Sequence, residues 1–121
     1  MAEIKRFDYF ELSCNEITVL RFTTTDLSGG AMLSELQDQL MNHVQANASS
    51  KYVVDFTGLS WCPSLLINAL LRAKKAVKQG GGDLRLCCMS IDVLQAFQVM
   101  NLERVFEIDD SVEEAKAALE A

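Results

Sequence analysis

The sequence predicts an α/β domain with α+β character: a small, mostly parallel sheet of about five strands with four helices packed against it. Three observations predict it. The 121 residues match one domain, spanning 1–121, with no room for a second core. Half of the residues are apolar and only one is proline, a composition that can offset chain entropy by burial. Two β-rich runs open the chain, after which helical and β-rich segments alternate in the order ββαβαβαβα. A helix between two strands forces parallel pairing through a right-handed crossover.

The elements follow in order. Tyr9 to Cys14 and Ile17 to Thr23 are rich in aromatic or β-branched residues and flank Asn15-Glu16, which predicts a hairpin. A polar, glycine-containing break from Thr23 to Gly30 comes next. Met32, Leu33, Leu36, Leu40 and Val44 then recur at helical spacing, ending near Asn47. Tyr52 to Phe56 is too continuously apolar to have a wet face, which predicts a central strand closed by Thr57-Gly58.

Pro63 announces a second helix, because its missing N–H has no partner in a first turn anyway. Leu66, Leu70, Ala73 and Val77 form its inner stripe. Arg72, Lys74, Lys75 and Lys78 favour the negative end of its dipole, and Gly80-Gly81-Gly82 stops it. Leu84 to Met89 reads as a strand, Ser90 as the N-cap of a short helix, and Arg104 to Ile108 as a last strand. Ser111 and Glu114 have capping-box spacing and open a terminal helix. The expected core is Val53, Phe56, Leu66, Leu70, Leu86, Leu94 and Phe97.

Charge and composition narrow the function. Seventeen acids against eleven bases give a net charge of −6, the wrong sign for neutralising phosphates, so no nucleic acid partner is expected. Leu65 to Leu71, the longest apolar stretch, is interrupted by Asn68 and far too short for a bilayer. The charged N-terminus lacks a secretory pattern, and a cytoplasmic location is expected. Cys14, Cys62, Cys87 and Cys88 lack C-x-x-C spacing. Neighbouring Cys87 and Cys88 would point to opposite faces of a strand, so no metal site, disulfide framework or cofactor is expected.

The chemistry is concentrated in Ser60-Trp61-Cys62-Pro63-Ser64, at a strand-to-helix junction where backbone N–H groups and the dipole favour negative charge. Cys62 reads either as a thiol of lowered pKa or as a small apolar filler. Ser64 reads either as a phosphoacceptor or as an ordinary first-turn serine. His43, the sole histidine, has no carboxylate three or four residues away on its own helix and reads as solvated or half-packed. The apolar set Leu65, Leu66, Ile67, Leu70 and Leu71 covers more of its helix than one sheet can bury. Either a partner or a neighbouring helix covers the rest.

A resemblance rests on many modest features in a set order. These are the strand Tyr52 to Phe56, Leu59-Ser60-Trp61, Ser64, the basic helix, Gly81-Gly82-Asp83-Leu84 and Cys87-Cys88-Met89-Ser90. Val93, Leu94, Phe97, Met100-Asn101-Leu102 and Val105-Phe106 continue it. From about Ile17 to Leu119 the chain resembles the STAS domain of bacterial anti-sigma factor antagonists. That resemblance implies a small mixed sheet with helices mostly on one side, and protein binding rather than catalysis. The implied partner is an anti-sigma factor that is also a serine kinase.

In the family pattern, Asp-Ser-Ser-Gly-Leu, the kinase phosphorylates the first serine. The aligned residues here are Pro63-Ser64-Leu65-Leu66-Ile67, so the acceptor serine is kept at Ser64 while the Asp, the second Ser and the Gly are replaced. A further family glycine is replaced at Thr24. The expected function is an anti-sigma factor antagonist with Ser64 as the candidate phosphorylation site. Its partner-binding residues are expected to be Ser60, Trp61, Cys62, Pro63, Ser64 and Leu65. The alternative is a non-switching scaffold subunit of a larger signalling assembly, to which the altered pattern points.

Overall fold

The structure, a computed structural model, describes residues 3–23, 27, 29–47 and 49–120. Its strands are β1 (Glu3–Arg6), β2 (Phe10–Cys14), β3 (Ile17–Phe22), β4 (Lys51–Asp55), β5 (Asp83–Cys87) and β6 (Glu107–Asp109). Its α-helices are α1 (Gly30–Ala46), α2 (Ser64–Gln79), α3 (Ile91–Val99) and α4 (Val112–Glu120), with a 3₁₀ turn at Leu102–Arg104. The six strands form one sheet in chain order. β1, β2 and β3 pair antiparallel, and β3 through β6 pair parallel.

The strand count exceeds the expected five because of β1. All four of its residues are exposed, so the burial pattern that reveals a strand is missing. Its ladder to β2 holds it in place, from Glu3 opposite Cys14 to Arg6 opposite Glu11. Charged residues suit such an edge, since they discourage pairing with another chain. The final strand also moves. Residues 102–104 wind into the 3₁₀ turn and Phe106 turns into the core, so pairing starts only at Glu107. Thr24, the replaced glycine implied by the resemblance, lies outside the described residues.

Side-chain alternation divides the core into two layers. On one face Leu20, Phe22, Tyr52, Val54, Leu84 and Leu86 meet the buried stripes of α1, α2 and α3. On the other, Ile17, Val19, Val53 and Cys87 pack against Ala115 and Leu119 of α4. Three helices therefore lie on one side and one on the other. Of the expected core, Val53 belongs to the thinner α4 layer, and Leu94 is only half-buried. Phe97 stacks edge-on with Phe56 at 6.1 Å and lies 5.9 Å from Phe106. Such pairs are worth about 0.5 to 1.5 kcal/mol beyond the area they bury.

The expected helix signals take physical form. Gly81 adopts φ +93, and its N–H donates to the Lys78 carbonyl while that of Gly82 donates to Val77, the paired bonds that end a helix at a left-handed residue. Ser90 caps α3 by accepting from the Val93 N–H at 3.3 Å. Ser111 accepts from the Glu114 N–H at 3.1 Å, and the Glu114 carboxylate reaches back to the Asp110 N–H at 3.2 Å. The cations of α2 are structural in part. Lys74 lies 5.7 Å over the Phe106 ring and Lys78 pairs with Asp83, while Arg72 and Lys75 remain exposed.

Candidate functional site

The loop from Thr57 to Pro63 carries the chain from the end of β4 to the first turn of α2. Asp55 anchors its start. The Thr57 N–H and hydroxyl donate to Asp55 Oδ1 at 2.9 and 2.6 Å, and Arg21 Nε faces Oδ2 at 3.3 Å. Burial pushes the Asp55 carboxyl up, but hydrogen bonds from Thr57, Cys88 and Arg21 outweigh it and hold the group below its ordinary value. Gly58 then takes φ 90, which admits the tight turn closed by the Leu59 N–H on the Phe56 carbonyl.

Beyond the turn, residues alternate between anchoring the loop and facing solvent. Leu59 and Cys62 are buried in the main core, and Pro63 is buried beside them. Ser60 and Ser64 are exposed, and Trp61 and Leu65 are each 49% exposed. Pro63 sits one position earlier than expected, as the N-cap of α2 with extended backbone, and its carbonyl accepts from the Leu66 and Ile67 N–H groups. Ser64 thereby becomes the first helical residue, where backbone N–H groups and the positive end of the dipole favour an anion. The first turn carries no acidic side chain.

Of the six residues expected to bind a partner, Ser60, Trp61, Ser64 and Leu65 thus stand on the surface, and Cys62 and Pro63 lie behind them. Burial pushes the Cys62 thiol up to about 12, the opposite of an activated nucleophile. The two explanations for the apolar excess of α2 divide between residues. Leu66, Ile67 and Leu70 are buried with α1 packed alongside, Leu71 is half-buried, and Leu65 alone of the five stays exposed. His43 is half-packed, edge-on against Tyr52 at 6.0 Å, and burial, then the charge of Lys5, lowers its pKa.

Sequence reasoning missed the anchoring role of Asp55. It also misplaced Cys88. β5 stops at Cys87, and Cys88 follows with φ 61, so the alternation of a strand does not apply to it. Instead of facing away, its sulfur lies within 4.8 Å of that of Cys87.

The STAS domain family model matches residues 17–115. Solved structures share the fold. An anti-sigma-factor antagonist (STAS) domain protein from Planctomyces limnophilus superposes with a TM-score of 0.80 at 20% identity, covering 93% of this chain and 98% of its own. An anti-sigma factor antagonist from Mycobacterium paratuberculosis gives 0.73 at 12% identity, covering 100% of this chain and 94% of its own. The Bacillus cell fate determinant SpoIIAA in its phosphorylated form gives 0.61 at 16% identity, covering 98% and 97%.

Proposed function

The chain belongs to the STAS domain family, and from that premise we propose that it is a cytoplasmic anti-sigma factor antagonist, a binding module switched at Ser64. Its partner is an anti-sigma factor that carries serine kinase activity. The observation that carries this reading is the exposure of Ser64 at the first helical position of α2, between exposed Trp61 and Leu65. A hydroxyl there is open to a kinase, and a phosphate there is compatible with the fold while placing nearly two charges in the middle of an apolar contact. Cys62, held as a buried thiol, supports binding rather than nucleophilic catalysis.

One observation favours a second reading, a constitutive scaffold. Pro63 stands where the family pattern has a carboxylate, and Leu65 where it has a second serine. The purified anti-sigma factor kinase, incubated with radiolabelled ATP and either the parent or Ser64→Ala, separates the two. Label on the parent and not on Ser64→Ala supports the switch. Binding without label on either protein supports the scaffold, and absence of binding overturns both.

A further inference from the structure

The carboxyl ends of β3 to β6 bring Arg21, Asp55, Cys87 and Asp109 into one cross-strand row, through the pairings Arg21 with Asp55, Asp55 with Cys87 and Cys87 with Asp109. All four lie on the α4 side of the sheet, by the alternation that puts Val19 and Val53 there. Cys88 is then turned toward the same place by its left-handed backbone. A carboxylate oxygen of Asp55 and the sulfurs of Cys87 and Cys88 all lie within 4.8 Å of one another.

We propose that Asp55, Cys87 and Cys88 form a binding site for one thiophilic divalent cation of the zinc class. Zinc takes sulfur at about 2.3 Å and carboxylate oxygen at about 2.0 to 2.2 Å, so a tetrahedral set has its donors roughly 3.3 to 3.8 Å apart. Donors already within 4.8 Å need only close by about an ångström. The backbone is shaped accordingly. A left-handed conformation is unfavourable for a residue with a side chain, and at Cys88 it is what brings the second sulfur to the first.

The surroundings supply the rest of the coordination chemistry. Asp55 and Cys88 line a cavity of about 460 Å3 between the first turn of α4 and the open face of β1 to β3. The cation enters from this side, Cys87 closes the site from behind, and the fourth position faces the cavity with room for water or a small ligand. Asp55 Oδ1 keeps its bonds to Thr57, and Oδ2 turns from Arg21, whose side chain is 56% exposed and free to swing away. As the two metal–sulfur bonds form, the two S–H protons pass to solvent. Two thiolates and one carboxylate then exceed the cation by one negative charge, beside a cavity wall that carries two cations, Arg21 and Lys116, and two acids, Glu11 and Glu113.

Titration of the reduced full chain with Cd2+, followed by its ultraviolet sulfur-to-cadmium charge-transfer band, tests the site. The parent is expected to saturate at one ion per chain, and Zn2+ to displace it. Cys88→Ser, a half-buried position beyond the strand, is expected to lose affinity by about 100-fold or more, and Asp55→Asn by about tenfold. Cys14→Ser is expected to titrate like the parent. A parent without a saturable band, or a Cys88→Ser protein of native circular dichroism that titrates like the parent, overturns the site. Should Cys88→Ser lose its fold, the melting temperature of the parent decides: a rise with added Zn2+ that Asp55→Asn lacks supports the site, and no rise overturns it.

Discussion

Thr57 is held by Asp55 twice, through its backbone N–H at 2.9 Å and its hydroxyl at 2.6 Å. This pair ties the end of β4 to the loop that leads to Ser64. Thr57→Val removes the hydroxyl bond and leaves a carboxylate oxygen short of a donor, which costs about 1.5 kcal/mol or more for a bond to a charged group. The sign with pH follows from the lowered Asp55 pKa. Its contribution is complete above the ordinary value of 3.8 and is lost as pH falls through the lower folded value. Urea unfolding at neutral pH should therefore separate parent from variant, and the gap should narrow in strong acid.

Ser64→Glu places a negative charge at the positive end of α2, worth about 0.3 to 1 kcal/mol in favour of the fold. Its melting temperature should stay close to that of the parent. Binding to the proposed anti-sigma factor partner should weaken by about tenfold or more, since that partner must desolvate or repel the charge. Ser64→Ala should bind like the parent. Calorimetric titration of the three proteins measures the binding, and scanning calorimetry their melting temperatures.

Leu65 and Trp61 project from the same loop and first turn, each about half exposed. Leu65→Asp should weaken the complex by about 100-fold if the leucine is a central contact, a loss of about 2.7 kcal/mol. Trp61→Ala should act in the same direction. Thermal unfolding of both variants should shift little. Unchanged affinity with a native fold would move the docking surface elsewhere.

Phe97 and Leu94 lie one turn apart on α3 and differ in depth. Phe97 is fully buried against Phe56 and Phe106, whereas Leu94 is half-buried. Phe97→Ala should cost about 3 to 5 kcal/mol, by lost burial and the cavity left behind. Leu94→Ala should fall well short of the 2 to 5 kcal/mol (about) seen for fully buried leucines, because part of its side chain already meets water. Denaturant midpoints at a common slope compare them directly.

Much of this molecule can be read from local pattern. The inner stripe of α2 is Leu66, Leu70, Ala73 and Val77, each fully buried, because helical periodicity alone selects one face. The caps at Ser90 and Ser111 and the stop at Gly81 are likewise local, since their hydrogen bonds close within a few residues. β1 escaped the same reading because its pairing with β2, rather than burial, holds it.

The sequence by itself determined the order of elements, the central position of β4, the family resemblance and the place of Ser64 at the start of α2. Only the tertiary structure decided that Ile67 is buried while Leu65 stays exposed, and that among the described residues α4 covers the second face of the sheet. It alone also brought Asp55, Cys87 and Cys88 together. Periodicity records which residues must be buried, and it is set by neighbours along the chain. Which element covers them, and which side chains meet across strands, depends on contacts between segments about 30 residues apart or more, as with Asp55 and Cys87.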